Sequence, residues 1–360
     1  MQPIKPLLFL FLGILIQSCN NYIGRTTAEE NDLTRYVNPM IGSGFHGHVF
    51  VGANVPFGAV QLGPKNMSEG WDWCSGYHIT DTTIRGFAHL SLSGTGIGDL
   101  GDICFMPVTG EVPLAKGRGD DEQSGYFSFF SHSDEITRPG YYSVKLKRYN
   151  IKAELTATER VGFHKYTYPQ NVEPRIIIDL QPGTGWDRPV KTYIQKINDT
   201  TLVGYRFSTG WAKDQRVFFT VVFSQPIESF RLFDSTSGKP GDSLTAVRAK
   251  ALLIFKKTVS AQILAKVGIS PVSMKNAADN IKIELPDWNF DQTVQDATQK
   301  WNKEPSKIKI ETNDTSRLRT FYTAMYHTMI APSIYNDCNG DYLGTDKKVY
   351  EKAPFTNLTT

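Results

Sequence analysis

The sequence predicts a mainly β protein, in which a large sandwich of antiparallel sheets is followed by the start of a helical domain. The first observation is a series of short segments rich in β-branched and aromatic residues between residues 36 and 287, most of them bounded by Gly, Pro, Asn or Asp. The second is that this region lacks long helical periodicity. The third is that apolar residues adopt helical spacing from residue 290 onward.

Composition is that of an ordinary globular protein. The chain has 360 residues, of which 40% are hydrophobic and 21% are charged. Its 39 basic and 36 acidic side chains leave a formal net charge of +3, and no dense Lys/Arg stripe is present. The sequence therefore argues against nucleic acid as a partner.

The first 19 residues are typical of an export signal. Lys5 precedes an apolar run from Leu7 to Ile16, which is too short to span a bilayer that requires about 20 helical residues. The letters IQSC resemble the bacterial lipobox, in which the cysteine is acylated. We expect an exported bacterial lipoprotein on the outer membrane, lipidated at Cys19 and tethered through residues 20–34. A signal peptide with a chance cysteine is the alternative.

Seven segments carry the β prediction for a domain over residues 35–283. Each is enriched in β-branched and aromatic residues, and several alternate apolar and polar residues strictly. Because no helical pattern separates them, we expect antiparallel pairing. The segments are YYSVKL (141–146), ELTATERVGFHKYTY (154–168), PRIIIDL (174–180), TLVGYRFS (201–208), RVFFTVVFS (216–224), LTAVRAKALLIF (244–255) and AQILAKVGIS (261–270).

Two helices are predicted after the sandwich. FDQTVQDATQKWN places a helix in a linker over residues 284–310, and TSRLRTFYTAMYHTMIAPS begins a helical domain over residues 311–360. Asp314 or Thr315 is expected to cap the second helix, and Pro332 to help end it. A wide apolar helix face needs packing partners, so we expect this helical domain to be incomplete in the present sequence.

The segment GFHGHVFVGANVPFGAVQLGP, residues 44–64, is a glycine-punctuated loop that holds two histidines. His46 and His48 would point the same way on an extended segment, as paired metal ligands can. No third ligand of clear spacing is nearby. We therefore expect Gly44 and Gly47 to let a ligand approach the backbone, and His46 to donate a hydrogen bond to it.

Residues 93–102, SGTGIGDLGD, match the dinucleotide fingerprint GxGxxG by letters only. The following residues are β-like and are broken by Pro107, whereas the fingerprint must open a helix. Structural turns and a loop lining a polar cleft both remain open. Asp99 and Asp102 are a candidate carboxylate pair, although aspartates in turns usually bind their own backbone.

The stretch GWDWCSGYH, residues 70–78, is the sharpest feature of the sequence. If it is extended, Trp71 and Trp73 share one face and Asp72 lies on the other. Flat rings beside hydrogen-bonding groups suit a pyranose, which has apolar C–H faces and a rim of hydroxyls. We expect a sugar-binding surface here that also includes His78; two tryptophans buried in the sandwich core are the alternative.

Other metal patterns are weak. Cys74, Cys104 and Cys338 show neither a zinc-ligand spacing nor a disulfide framework, and one disulfide among them remains open. Residues 335–346, YNDCNGDYLGTD, resemble a calcium loop but lack the glutamate at the twelfth position. The sequence therefore predicts no metal ligands.

Four segments, in order, closely resemble the N-terminal half of family 92 glycoside hydrolases, the calcium-dependent exo-α-mannosidases of Bacteroidetes. They are YVNPMIGSGFHGHVFVGANVPFGAVQLGP, GWDWCSGYH, IRGFAHLSLSGTGIGDLGDICFMP and FYTAMYHTMIAPS, and the resemblance covers residues 36 to about 346. It implies a β-supersandwich of the galactose-mutarotase type, followed by the first helices of an (α/α)6 barrel. The sugar site would lie at their junction.

The resemblance also implies inverting hydrolysis of mannose-containing glycans, such as N-glycans or mannan, in which a glutamic acid protonates the leaving oxygen and an aspartate activates water. Calcium would contact the mannose hydroxyls. The family's acid, base and calcium ligands lie beyond the point that matches residue 360, so we assign no catalytic residue and expect this polypeptide to be inactive alone. The expected substrate-binding residues are Gly44, His46, Gly47, Trp71, Asp72, Trp73, His78, His89 and Asp341.

Two other classes of function remain. A non-catalytic carbohydrate-binding lipoprotein requires only the sandwich and the tryptophan segment. A metal hydrolase would be centred on His46, His48, His78 and His89.

Overall fold

The structure is a computed structural model that describes residues 32–257 and 261–359. The predicted export signal, the lipidation site Cys19 and the tether up to residue 31 lie outside the described residues. Within the described part, no helix combines the length and the hydropathy that a membrane crossing requires.

Strands are the predominant regular element of the described chain. In chain order they are β1 (Gly63–Lys65), β2 (Thr83–Ile84), β3 (Gly86–Ala88), β4 (Cys104–Thr109), β5 (Ser128–Phe129), β6 (Glu135–Arg138), β7 (Tyr141–Leu146), β8 (Ile151–Ala157), β9 (Val161–Thr167), β10 (Pro174–Asp179), β11 (Arg188–Lys196), β12 (Thr201–Thr209), β13 (Gln215–Phe223), β14 (Ile227–Asp234), β15 (Ser237–Lys239), β16 (Ser243–Ala246), β17 (Ala249–Phe255), β18 (Gln262–Ser270), β19 (Ser333–Ile334), β20 (Tyr342–Leu343), β21 (Val349–Tyr350) and β22 (Leu358–Thr359).

Two large antiparallel sheets confirm the predicted fold class. One has the strand order β1-β3-β4-β10-β17-β14-β15, and the other has the order β16-β11-β12-β13-β18-β9-β8-β7-β6. Apolar side chains of both sheets form one continuous core, to which Ile176 of β10 and Leu155 of β8 contribute. Both β10 and β17 are buried on their two faces, which is the reason that they read as apolar runs without alternation.

Three helices follow β18 among the described residues: α1 (Met274–Glu284), α2 (Phe290–Lys303) and α3 (Thr315–His327). The predictions of α2 and α3 are confirmed. Asp314 caps α3, since its carboxylate accepts hydrogen bonds from the backbone N–H groups of Ser316 and Arg317.

The sequence did not predict α1, because part of its buried face is made of amides. Asn276 and Asn280 are buried on this helix beside Ala277 and Ile281. The amide of Asn280 donates to the carbonyl oxygen of Ile269 over 2.9 Å. A polar residue that finds its partners inside the protein interrupts the apolar periodicity that marks a helix in sequence.

The helices also anchor the loops that precede β1. Trp301 of α2 packs with Phe50 and with Tyr326 of α3. Its indole N–H donates to the carbonyl oxygen of Asn54 over 2.7 Å, and the hydroxyl of Tyr326 donates to the side-chain oxygen of Asn54 over 3.3 Å. These contacts hold the chain segment that carries the histidines of the sequence motif.

Candidate functional site

Three loops come together around the predicted sugar-binding residues. We call them the histidine loop (residues 42–50), the tryptophan turn (residues 70–78) and the glycine loop (residues 93–102). The glycine loop is joined to the histidine loop by two hydrogen bonds: the backbone N–H of Gly94 donates to the carbonyl oxygen of His48 (2.9 Å), and that of Phe50 donates to the hydroxyl of Ser93 (3.0 Å). Residues distant in sequence are thereby brought to one surface.

The histidine loop is tightly folded and not extended as expected. Phe45 and His48 both have positive φ angles, of 48° and 53°. A Cβ atom at Gly47 would lie 2.1 Å from the carbonyl oxygen of Gly42, so only glycine fits there. Gly47 therefore makes room for the loop's own backbone, while the roles predicted for Gly44 and Gly47 in ligand binding stay predictions.

The tryptophan turn is also not extended. Residues Trp71–Trp73 form one 3-10 turn, in which the backbone N–H of Trp73 donates to the carbonyl oxygen of Gly70 over 3.1 Å. Successive side chains of such a turn point in three directions, so the two indoles do not share a face. Trp71 is 56% exposed, whereas Trp73 is half-buried and packs its ring 4.9 Å from that of His78.

Trp71 is exposed but held in place. Its indole N–H donates to the carbonyl oxygen of Gly96 over 2.9 Å. The rings of His46 and His48 lie 4.8 and 4.5 Å from the indole, centroid to centroid. Although these contacts hold the ring, more than half of the residue's surface stays exposed, so the indole can offer an apolar surface to a ligand.

Asp72 joins the two histidines of the loop. The Nδ1–H group of His46 donates to Oδ1 of Asp72 over 2.6 Å, and Nε2 of His48 lies 3.5 Å from the same oxygen. The hydrogen bond from His46 lowers the pKa of Asp72, so this carboxylate is ionised at neutral pH. Within the described part of the chain, these residues are the one group of three His, Cys, Asp or Glu side chains whose ligand atoms converge, all within 4.8 Å.

Phe45 is an exposed residue of this surface that is not among the predicted sugar-binding residues. It is 88% exposed, at the tip of the histidine loop. An aromatic residue between two glycines, as in GFHG, was the available signal, because a loop tip offers no core in which to bury it.

His78 supports the site from below the surface. It is only 6% exposed, and both of its ring nitrogens are engaged. Nδ1 accepts from the hydroxyl of Thr80 (2.8 Å), and Nε2–H donates to the carbonyl oxygen of Phe45 (3.2 Å). His78 therefore ties the tryptophan turn to the histidine loop.

His89 lies in the sandwich core and not on the predicted sugar-binding surface. It is 0% exposed. Its Nδ1–H donates to the carbonyl oxygen of Ile103 (2.7 Å), and its Nε2 accepts from Nε2–H of His164 (2.9 Å), whose Nδ1 accepts from the Tyr166 hydroxyl (2.7 Å). Because a carbonyl can only accept, this order of donors satisfies the whole chain with neutral rings. The expectation that His89 contacts substrate is corrected accordingly.

The buried histidine pair predicts a loss of stability in acid. Burial lowers the pKa of His89 to about 4 and that of His164 well below its ordinary value. The unfolded chain therefore binds more protons than the folded chain below pH 6.5, and we expect the free energy of unfolding to fall between pH 6.5 and 4, by about 3 kcal/mol from His89. Urea titrations across this range measure the fall.

Two variants make that measurement specific. The double variant His89→Leu/His164→Leu should show a shallower dependence on pH, whatever its absolute stability. His132→Gln, which changes a half-exposed histidine, should keep the wild-type slope. An unchanged slope in the double variant would contradict the assignment.

Asp341 lies in a different contact network. Its carboxylate accepts from the amide of Asn276 on α1 (2.9 Å), from the amide of Asn339 (2.7 Å) and from the backbone N–H of Lys352 (3.0 Å). Burial alone would raise the pKa of Asp341, but these hydrogen bonds lower it. Its described contacts do not include the histidine loop or the tryptophan turn, so its role toward a sugar stays a prediction.

The aspartates of the glycine loop have separate roles. Asp102 is fully buried and accepts from Arg206 (2.6 Å) and Gln215 (2.8 Å). Arg206 also pairs with buried Asp187. Burial alone would lower the pKa of Arg206, but the two carboxylates raise it above its ordinary value. Asp99 instead accepts from the backbone N–H of Ala212 over 2.9 Å. The structure therefore places Asp102 in a buried ion network and not in an open acid–base pair.

The three cysteines of the described region are free thiols. The thiol of Cys74 donates to the carbonyl oxygen of Trp71 over 2.7 Å. Burial raises the pKa of Cys104 to about 12. These three cysteines therefore form no disulfide with one another in this structure.

A cavity of about 1020 Å³ lies on a neighbouring surface. It is lined by part of the glycine loop, by residues 211–217 and by residues 330–359, with Trp211 56% exposed beside it. Nζ of Lys347 lies 2.7 Å from a carboxylate oxygen of Asp214 at this cavity. Because of its size and its exposed tryptophan, this cavity is a second candidate surface for a sugar. None of the predicted sugar-binding residues lines it.

Comparison with known proteins identifies the family. The sequence profile of the glycosyl hydrolase family 92 N-terminal domain matches residues 36–270, and that of the family 92 catalytic domain matches residues 276–360. A family GH92 α-mannosidase from Bacteroides thetaiotaomicron, solved in complex with mannoimidazole, is 35% identical with a TM-score of 0.87, over 91% of this chain and 44% of its own. An inverting GH92 mannosidase from the same organism shares the fold at 23% identity, with a TM-score of 0.78 over 91% of this chain and 44% of its own.

A curated relative points to the same class of protein. An uncharacterized secreted glycosidase from Arthroderma benhamiae is 26% identical over 386 residues, which is 96% of this chain and 46% of the relative. The chain thus spans about half the length of the proteins it matches. Since the N-terminal domain profile alone covers well over half of the 360 residues, the chain belongs to glycosyl hydrolase family 92.

Proposed function

We propose that this chain is the N-terminal half of an exo-acting, inverting α-mannosidase and supplies part of its sugar site. The expected substrates are mannose-containing glycans, such as N-glycans or mannan. The single observation that carries the proposal is the exposed indole of Trp71 beside the ionised carboxylate of Asp72. A pyranose can lay its C–H face on the indole while its hydroxyls donate to the carboxylate. Family membership and the similarity to an α-mannosidase at 35% identity support the choice of sugar.

His46, His48 and Asp72, which we call the histidine cluster, are better suited to binding a sugar than to cleaving a glycosidic bond. Inverting hydrolysis requires two carboxyl groups about 6.5–9.5 Å apart, one as acid and one as base. Asp72 is the one carboxylate of the cluster, and its Oδ1 is already hydrogen-bonded to His46. We therefore assign to Asp72 and His46 the orientation of hydroxyl groups, with the acid and base on later segments of the family's chain.

The calcium ion that family resemblance implies does not fit this cluster. Calcium takes six to eight oxygen ligands, whereas the cluster offers two imidazole nitrogens and one carboxylate. We propose that calcium binds in the whole enzyme through the segments that follow the one matching residue 360. No step of sugar binding at Trp71 is assigned to it.

A calorimetric and an enzymatic measurement test this proposal together. The 360-residue polypeptide should bind α-1,2-mannobiose and should release no mannose from it in the presence of calcium, because the second carboxyl group is missing from its site. Sustained release of mannose would contradict the expected inactivity. Absence of any binding heat at millimolar mannobiose would contradict the sugar site itself.

A non-catalytic carbohydrate-binding lipoprotein is the second candidate, and it is favoured by the single carboxylate of the cluster. It predicts the same binding result. The nucleotide sequence downstream of codon 360 separates the two: a continuation that encodes the family's barrel supports the enzyme.

We also propose export to the outer membrane with acylation at Cys19. The IQSC motif supports this proposal, as does the description of the Arthroderma benhamiae relative as secreted. Incorporation of labelled palmitate by the wild type but not by Cys19→Ser checks it.

A further inference from the structure

The histidine cluster contains a buried nitrogen atom, Nε2 of His48, that lacks a hydrogen-bond partner among the described residues. The side chain of His48 is only 4% exposed. Leaving a buried polar atom unpaired is unfavourable, and most such atoms in proteins have a partner. Nε2 lies 3.5 Å from Oδ1 of Asp72, so it is directed at the cluster.

The spacing of the ligand atoms suits a tetrahedral metal ion. Two ligands bound to zinc at about 2.0–2.2 Å are about 3.3–3.6 Å apart in that geometry. His48 and Asp72 already have this separation, at 3.5 Å. His46 and Asp72 are closer, at 2.6 Å, but the side chain of His46 is 67% exposed and has room to move outward.

The chemistry of the three ligands selects the class of ion. Two imidazoles and one carboxylate suit divalent transition metals and leave open coordination positions, whereas calcium and magnesium prefer oxygen ligands. The indole of Trp71 packs on both imidazoles and limits their rotation.

We propose that His46, His48 and Asp72 form a binding site for one divalent transition-metal ion, for which Zn²⁺ is the natural probe. Buried His48 provides the fixed ligand, and exposed His46 closes on the ion. This proposal is argued from the three ligand side chains alone and does not rest on the proposed sugar binding. Metal and mannobiose are titrated separately, so the two proposals can fail independently.

Calorimetry of the untagged, EDTA-treated polypeptide with ZnCl₂ tests the proposal. We expect one ion per chain, no heat from CaCl₂, and binding at least about tenfold weaker in His46→Ala and in Asp72→Asn, since removing even an outer-shell partner typically costs 10–100-fold. Both substitutions are at solvent-accessible side chains, so the variants should fold. X-ray absorption of the zinc complex should show nitrogen and oxygen ligands at about 2.0–2.1 Å.

His132→Ala is the matched control. The ring of His132 also contacts a carboxylate, that of Glu135 over 2.8 Å, and belongs to no group of three converging ligands within the described chain. This variant should bind zinc like the wild type. No zinc binding by the wild type, or equal affinity in wild type, His46→Ala and Asp72→Asn, would overturn the proposal, while loss of mannobiose binding alone would not.

Discussion

Replacing Arg206 with methionine should lower the free energy of unfolding by about 3–5 kcal/mol. Arg206 is fully buried between Asp102 and Asp187, both of which are also buried. Methionine fills much of the volume but leaves two carboxylates without a countercharge in a medium that solvates charge poorly, and breaking a buried ion pair on one side has this cost. Chemical denaturation at pH 7 measures it.

Arg216→Met is the control for Arg206→Met. Arg216 pairs with Asp214, and the side chains are 34% and 36% exposed. Because water screens such a pair, its loss should change the free energy of unfolding by no more than about 1 kcal/mol. Similar losses in the two variants would show that the buried network has no special weight.

The Arg206 network also bears on the candidate site. Asp102 ends the glycine loop, and Gly96 of that loop holds the indole of Trp71. If the network is weakened, Trp71 should lose its fixed orientation. Arg206→Met is therefore expected to broaden or shift the tryptophan fluorescence that reports on the surface, even under conditions where the variant is folded.

Trp71→Ala should weaken the binding of α-1,2-mannobiose at least about tenfold, which corresponds to about 1.4 kcal/mol. The indole offers the one large, fixed apolar face of the cluster, and loss of that face removes the stacking contact for the sugar ring. Trp71→Phe retains a smaller ring and should recover part of the affinity. Calorimetry under the same conditions measures all three proteins.

Two other exposed tryptophans make this measurement selective. Trp186 is 62% exposed and Trp211 is 56% exposed, the same value as Trp71. Trp186→Ala should bind mannobiose like the wild type. If Trp211→Ala loses binding while Trp71→Ala does not, the sugar site is the cavity between residues 211–217 and 330–359, and the assignment to the tryptophan turn is wrong.

Local patterns predicted α2, α3 and most of the long strands, but not β11, β14 or α1. The start of α2 at Phe290 and the capping of α3 by Asp314 follow from spacing and residue type within a few positions. The segment 154–168 was correctly read as β, although the structure divides it into β8 and β9 around a turn. Helix α1 was not predicted because the buried amide of Asn280 is satisfied by Ile269 and Asp337, which lie outside the helix. A local sequence pattern contains no information about such distant partners.

Most residues of the candidate site were selected from the sequence, but Phe45 was missed and the expected geometry was wrong. The sequence singled out His46, Trp71 and Asp72 by chemical type, but it assumed extended backbone and placed Asp72 opposite the indoles. The 3-10 turn instead sets Asp72 beside His46, 26 positions away in the chain. His89 was wrongly assigned to the sugar-binding surface, because its burial depends on a partner, His164, that is 75 positions away in the chain.

The sequence by itself determined the class of the fold, the main strand segments, two of the three α-helices and the family, because alternation, capping and motif order are properties of neighbouring residues. Only the tertiary structure decided which polar residues face solvent and which partner they meet. That decision separates His46 at the surface from His89 in the core and makes Asp102 a partner of Arg206. Burial and ion pairing depend on contacts between distant segments, and those contacts exist only once the sheets have packed.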